Sequence, residues 1–542
     1  MELNMSHRLL ALTAFGLLVA GWTVAVSGCA RRETLVAEGR RTGTLHVAIG
    51  AEPGGLDPQR QITNDEMQVS LALFEGLVAI DERSSLPVPA AAERWATSAD
   101  GLVWTFHLRR GLQWSDGTPL TAEDFAWSLR RALSPQLASE YAYLLFVIRG
   151  AEAFNAGRPA DPNTLGVHAL DPTTLELALE RPVPHLPAIL AQPVAFPVPR
   201  HALETPAGAD STRAWPDPAR FVGNGPFVLT EWSPNRRIVT VRNPRFREPA
   251  RLNALVFHPY EQATAQEAAF RTGLLHVTSE LPATRIAAYR AENSAALRID
   301  PILETNFLRL NTTRPPLDDA RVRRALALAI DRRVLVERAT LGGQPPATGL
   351  VPSGTAGYPA TEGRGYDPET ARRLFTEAGF PAGRGFPPLE AMGFTSDTNQ
   401  KVLEALQQMW HRELGIAVTL APKEKQIWVA DERRLAYQIS LARWIGDYVD
   451  PSTFLELFVS GGGNNATGWA SAAYDRLVRD GSSEASPAKR IALFQQAETL
   501  LLREQPAVPL YHGTHAFLIR PEVHGWEPAL LGFVRYQYVW LE

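Results

Sequence analysis

Trp114-Ser115-Asp116-Gly117-Thr118-Pro119-Leu120-Thr121-Ala122-Glu123-Asp124-Phe125 carries the densest local signal in the chain. Thr121 reads as a helix N-cap, with the carboxylate of Asp124 three positions on. Phe125, Leu129 and Leu133 then recur every four residues, an apolar stripe along one helix face. Just upstream, Trp104, Phe106 and Leu108 alternate with Thr105 and His107, the period of a half-buried strand. Two more strands are predicted elsewhere: Leu45, Val47 and Ile49 alternate with His46 and Ala48, and Ile238-Val239-Thr240-Val241 runs to Asn243-Pro244. Further helix starts are predicted at Asp318-Asp319 (stripe Val322, Leu326, Ile330), Asp367-Pro368 (Leu374, Phe375, Ala378, with Gly379 as the stop) and Ser486-Pro487 (Ile491, Phe494, Ala497, Leu501). These stripes are read as core. Strands and helices alternate irregularly, which places the chain in the α/β class.

The chain has 542 residues, enough for three or four domains. Its 45% hydrophobic and 21% charged content belongs to a packed globular protein. With 54 Lys+Arg against 58 Asp+Glu the net charge is −4, which argues against nucleic acid as the main partner. A single cysteine excludes an intrachain disulfide and a cysteine-rich metal site.

That cysteine, Cys29, explains itself by its setting. Leu9 to Val26 is uncharged, and Val26-Ser27-Gly28-Cys29 follows. The order resembles a lipobox, in which small residues precede a Cys that is acylated and becomes the mature N-terminus. The alternative is an uncleaved membrane anchor. Residues 1–28 are thus read as a lipoprotein signal peptide, Cys29 as the lipid attachment point and 29–43 as an aperiodic tether. Both alternatives put the body outside the cytoplasm. No later segment carries 18 apolar residues in a row, so the body is read as soluble.

Pro/Gly-rich breaks at Pro193–Pro199 and at Arg314-Pro315-Pro316 are candidate crossovers, and Gly461-Gly462-Gly463-Asn464-Asn465 a flexible turn. No catalytic motif is present: there is no G-x-S-x-G elbow, no phosphate loop and no H-E-x-x-H. His512 and His515, in a stretch read as a loop, are the closest histidine pair, and two ligands without a third do not make a metal site. The chemistry concentrates in Arg443-Trp444-Ile445-Gly446-Asp447-Tyr448-Val449-Asp450-Pro451. Asp450 before Pro451 reads as a helix cap. Asp447, after Gly446 and flanked by aromatics, can either hold a cation or serve a structural salt bridge.

The body, about residues 44–540, resembles the bacterial extracellular solute-binding proteins of family 5, the oligopeptide- and dipeptide-binding class of ABC importers. Ordered blocks carry the resemblance: Glu52-Pro53-Gly54-Gly55-Leu56-Asp57-Pro58, Leu73-Phe74-Glu75-Gly76-Leu77, the 114–125 stretch quoted above, Gly223-Asn224-Gly225-Pro226-Phe227, Asp319-Ala320-Arg321-Val322-Arg323-Arg324-Ala325-Leu326 and Trp444 to Pro451. The resemblance implies a two-lobed periplasmic-binding-protein-like fold with a hinge and an extra inserted domain. Domain I would comprise 44–75, 200–300 and 514–542, domain II 76–199 and domain III 301–513.

It also implies a monomer, without cofactor or catalysis, that encloses a peptide between its lobes and passes it to an ABC permease. Asp447 matches the acid that holds the peptide α-ammonium, with Trp444, Ile445 and Gly446 as the strand beside it. Ile62, Thr63 and Asn64 match the opposing backbone-binding segment, and Tyr141 an aromatic lining the cleft. Arg433, Arg434 and Arg443 are the basic residues nearest to where a peptide carboxylate is held, though out of register. The same scaffold serves nickel chelates, heme and oligosaccharides, so the fold does not choose the ligand. A secreted peptidase would need a nucleophile or metal that the chain does not display.

Overall fold

A computed structural model describes residues 33–158, 164–204 and 218–542. The signal segment 1–28 and Cys29 lie outside them. The tether expected over 29–43 is corrected in its described part, which contains a helix, Leu35–Thr42. Thr34 caps it by accepting from Ala37 N at 3.2 Å, and Val36 N donates to Gly273 O at 3.0 Å. An eight-residue helix gets little stability from propensity, so docking decides it, and periodicity could not show it. Among the described residues no helix is long and apolar enough to cross a membrane.

Three larger sheets organise the rest. The first has the order Thr44–Ile49, Ala254–Pro259, Arg237–Arg242, Phe227–Ser233, its first pair parallel and the others antiparallel. The second, antiparallel throughout, runs Ala92–Thr97, Val103–Leu108, Thr174–Ala178, Val167–Asp171. The third is mixed: Val418–Lys423, Leu389–Phe394, Ile439–Ile445, Leu297–Leu310, Ala507–Leu518.

Val103–Leu108 is half-buried as its alternation predicts, with Trp104, Phe106 and Leu108 inside. Thr44–Ile49 departs from the half-buried reading, because His46 and Ala48 are buried as well. Its second face is covered by Phe270, Leu275 and Leu518 and by the ring of His276.

The helices form where the cap signals stand. Ala122–Ala132 is preceded by Thr121, whose backbone N and hydroxyl both donate to Asp124 Oδ2, at 2.7 and 2.9 Å, while Phe125, Leu129 and Leu133 are buried. Asp319 caps Ala320–Leu328 and Asp367 caps Pro368–Glu377. Ile330 lies beyond the end of the former, yet is buried. Pro487–Glu504 buries Phe494, Ala497 and Leu501. The Pro193–Pro199 crossover is buried along its whole length. Its backbone polar groups find partners: Val198 N donates to Ser128 Oγ at 2.9 Å and Phe196 O accepts from Gln59 Nε2 at 3.3 Å.

Two long strands tie the first sheet to the third. Leu297–Leu310 and Ala507–Leu518 pair antiparallel from Leu297↔Leu518 to Arg309↔Ala507. At one end they carry Ile439–Ile445; at the other, bridges from Ile519 to Val277 and from Val277 to Val47 continue the pairing into the first sheet. Between Pro301 and Thr305 the register shifts in a bulge, so the joins expected at 300/301 and 513/514 fall beside it, inside continuous strands. Gly513 lies opposite the bulge, where a Cβ would come 2.7 Å from the Cβ of Glu304. One core runs from the second sheet and helix Ala122–Ala132 into Tyr448, Phe454 and Leu501, so the inserted segment packs on elements of the third-sheet region.

Several histidines are kept neutral by this packing. Burial, reinforced by nearby Arg237, Arg520 or a neighbouring His, lowers His46 and His258 to about 4 and His276 to about 3, against an ordinary 6.5. His46 Nδ1 and His258 Nε2 share a hydrogen bond at 3.0 Å, which needs one of them as acceptor. The unfolded chain therefore binds more protons than the folded one between the two sets of values, and stability rises with pH there. The thermal midpoint is expected to fall steadily as pH drops from about 6.5 towards about 4, and a His276→Asn variant should show a shallower fall. A flat midpoint over that range would contradict the neutral cluster.

Candidate ligand-binding cleft

Strand Ile439–Ile445 delivers the site. Its ladder to Leu297–Leu310 ends at Ile445↔Glu304, and Gly446 N then donates to Leu303 O, within the bulge, at 2.8 Å. A Cβ at Gly446 would lie 2.5 Å from Leu303 Cδ2, so this close approach needs glycine. Asp447 N and Trp444 Nε1 both donate to Thr453 Oγ1, at 3.3 and 3.4 Å. The Asp447 side chain is thereby held just beyond the strand end.

It stands between two cavities. The larger, about 480 Å³, is lined by the first sheet (Val47, Ile49), the two long connecting strands (Ile302, Thr514), the helix Asn64–Leu73 and the 526–536 segment, as well as Tyr141, Gln192, Ile445, Gly446 and Asp447. The smaller, about 410 Å³, is lined by Tyr143, Arg181, His185, Trp444, Asp447, Glu456 and the 462–464 turn. Ile62 and Ile445, 49% and 47% exposed, present apolar surface without covering neighbours, Ile62 from the first-sheet side and Ile445 from the third sheet.

Burial pushes the Asp447 carboxyl above the ordinary carboxylate range, and a hydrogen bond with the Tyr143 hydroxyl opposes that rise. Burial and the Asp447 charge raise Tyr143 in turn. Other acids of the larger cavity are already satisfied. Asp65 accepts from Gly50 N and Ala51 N at 2.9 and 3.2 Å, Asp300 takes Arg298 at 3.0 and 2.7 Å, and Glu527 takes Arg83 at 2.5 Å. Among the described residues Asp447 has no ion-pair partner, and no Lys or Arg lines the larger cavity. A carboxylate so placed is suited to a ligand cation, which would return the solvation that burial removed.

The residues singled out in the sequence divide. Asp447, Ile445, Gly446, Tyr141, Ile62 and Asn64 line the larger cavity and Trp444 the smaller. Thr63 lines neither. It caps helix Asn64–Leu73, and the Ile62 and Thr63 N–H groups donate to Glu66 Oε2 at 3.0 and 3.1 Å. The 62–64 segment is therefore a helix entrance whose first two amides are taken. Arg443 is turned to Glu304, at 3.7 Å, and to the Phe394 ring. Arg433 ends helix Lys425–Arg433 exposed, and the following Arg434 donates to Asp431 at 2.6 Å. Neither reaches a cavity, because the helix turns them outward.

His512 and His515, read as a loop pair, sit instead in strand Ala507–Leu518; His512 meets Thr305 Oγ1 at 3.0 Å, and His515 meets Ser279 O. Tyr143, stacked on Tyr141 at 6.1 Å, Gln192, whose buried Nε2 has no partner among the described residues, and Glu456 were missed. Alternation near Tyr141 could have flagged Tyr143, whereas no local pattern marks Gln192 or Glu456.

Behind Asp447 lies a second acid. Asp450 accepts from Ser452 N at 2.9 Å from the position before the cap, which Pro451 occupies rather than Asp450 as the Asp-Pro signal suggested, and also takes Arg490 Nη1 and Nη2 at 2.5 and 2.7 Å. The pair is buried, with side chains 4% and 11% exposed. Arg490 Nη2 also donates to His185 Nδ1 at 3.2 Å, and the His185 ring stacks on Tyr448 at 5.1 Å. The second-sheet region is thus tied to the backbone that carries Asp447.

A two-lobed binding protein is the class that this hinge and cleft define. The pattern for bacterial extracellular solute-binding proteins, family 5 middle, matches residues 87–466, and the chain belongs to that family. It is 36% identical over 490 residues (88% of this chain, 89% of the other) to the probable deoxycholate-binding periplasmic protein YgiS of Escherichia coli. It is 34% identical over 489 residues (88% of each) to the periplasmic oligopeptide-binding protein OppA of Salmonella typhimurium. Among solved structures it overlays on the unliganded open form of the periplasmic murein tripeptide-binding protein MppA with a TM-score of 0.84, at 30% identity, covering 94% of this chain and 99% of that one.

Replacing Arg490 with Met keeps the apolar stem and strands the Asp450 charge. The expected loss is about 3–5 kcal/mol of folding stability by denaturant titration, partly recovered in the Asp450→Asn/Arg490→Met double variant. A loss under about 1 kcal/mol would show that the pair does not hold this region together.

Proposed function

We propose that the protein is an extracytoplasmic, lipid-anchored peptide-binding protein that captures oligopeptides between its lobes and delivers them to an ABC permease. One observation carries this reading: a partly buried carboxylate, Asp447, that has no cation of its own among the described residues and faces a cavity between the first and third sheets. The peptide α-ammonium fills that vacancy, and the peptide backbone runs beside Ile445 and Gly446, the β-augmentation mode. Gln192 Nε2, buried without a partner among the described residues, is available to a peptide carbonyl, and Tyr141 and Ile62 supply apolar walls. The protein performs no reaction and works as a monomer without cofactor. Domain I comprises 44–75, 200–300 and 514–542, domain II 76–199 and domain III 301–513. The bulge at Pro301/Thr305 is the hinge about which ligand, by favouring the closed state, shifts the lobes. The likeness to an open, unliganded form supports this arrangement as the open state.

The likeness to a protein named for deoxycholate supports a second reading, an amphiphilic bile acid in the same cleft. Such a ligand is an anion and would meet Asp447 with like charge, which favours the peptide.

Mass spectrometry of ligands released by denaturing protein from its native host tests the choice: peptides are expected, and bile acids without peptides would reverse it. Asp447→Asn is expected to weaken free-amine peptides by about 1–3 kcal/mol in calorimetry and N-acetylated ones far less. Because burial raises this carboxyl, its ionisation disfavours the folded state above the raised value, so the same variant should be no less stable than the parent at neutral pH. Equal losses for both peptide types would remove the assigned role. Cys29→Ser should release the protein from membranes and abolish fatty-acid labelling; unchanged membrane retention would point to an uncleaved anchor.

A further inference from the structure

The smaller cavity has a chemistry of its own. Asp447 stands on its border with the larger one, so a group bound at Asp447 can reach into both. Its walls are aromatic: Tyr143, Phe146, Trp444 and Tyr448. Glu456 lies on its lining, at the start of the short helical turn Glu456–Phe458.

Glu456 is half-buried and has no ion pair among the described residues. It accepts one hydrogen bond, from Ser482 Oγ at 2.8 Å. Burial raises its carboxyl above the ordinary range, with that bond and the more distant charge of Arg181 acting the other way. Glu180, also on the lining, is engaged by Gly150 N at 2.7 Å. Arg181 is the one Lys or Arg on the lining, and its chain is exposed. Asp450 nearby is already neutralised by Arg490. The cavity thus offers a second partly buried acid that no Lys or Arg among the described residues engages in an ion pair, in an aromatic setting suited to an alkyl chain ending in a cation.

We infer that the smaller cavity is a side-chain subsite for a basic residue: it takes the Lys- or Arg-like side chain of the residue whose amine sits on Asp447, with Glu456 as the charge partner and the aromatic walls around the alkyl stem. This rests on the peptide reading given above. It makes the protein selective for peptides with a basic first residue, a preference that main-chain pairing alone cannot supply.

The test compares Lys-Ala-Ala with norleucyl-Ala-Ala, which matches the stem without the charge, on the wild-type protein and on Glu456→Gln. Gln keeps an acceptor for Ser482, and the norleucyl peptide reports whether the variant site is intact. The wild type is expected to prefer the lysyl peptide by about tenfold to a hundredfold at low salt, the scale of one charge-assisted hydrogen bond. In Glu456→Gln that preference should fall to near unity while norleucyl-Ala-Ala binds as before. Equal binding of the two peptides to the wild type, or an unchanged preference in the variant, would overturn the subsite and leave the peptide reading standing. Failure of the wild type to bind either peptide would overturn the peptide reading, and the subsite with it.

Discussion

The antiparallel pairing of Leu297–Leu310 with Ala507–Leu518 is the constraint on which the rest depends. Two segments some two hundred residues apart in sequence are zipped into one ribbon that belongs to the third sheet at one end and reaches the first at the other. The ribbon fixes how far the sheets stand apart, and the cleft is the space that this leaves. A ladder without interruption would make a stiff connection; register shifts between Pro301 and Thr305 and between Asn306 and Phe307 interrupt it within a few residues.

The bulge between Pro301 and Thr305 sets the site. Leu303, within it, accepts from Gly446 N and donates its own N–H to Leu530 O at 2.8 Å, so the bulge, the strand end before Asp447 and the C-terminal segment meet at one residue. Gly446 leaves room for the Leu303 and Thr453 side chains, Thr453 holds the next amide, and Asp447 projects where burial disfavours its charge. Such a group is costly to the empty protein and useful only when a cation arrives. Asp450 shows the contrast three residues on: more deeply buried, it is matched by Arg490 and serves to hold the inserted region against the site.

Electrostatics in the cleft is local. The net charge of −4 on 542 residues implies no strong overall field. The acids at the rim of the larger cavity are matched by Arg298, Arg83 or backbone amides, so Asp447 and Glu456, without an ion pair among the described residues, stand out against a neutralised background.

What the sequence determined by itself was whatever local chemistry encodes. Thr121 with Asp124, Asp319, and Asp367 with Pro368 mark helix starts because capping acts within three or four residues. The alternation in 103–108 marks a strand with one dry face, and Asp447 stands out because its neighbours give it no capping role. Tertiary structure alone decided what depends on distant partners. His46 and Ala48 are buried because a second layer covers their strand. Residues 35–42 form a helix because they dock on Gly273. Arg433 and Arg434 face outward although they lie close to the site strand in sequence. Tyr143 and Glu456 reach the cleft from separate segments, since burial and the absence of a counter-ion are properties of the packed surroundings that no spacing along the chain records.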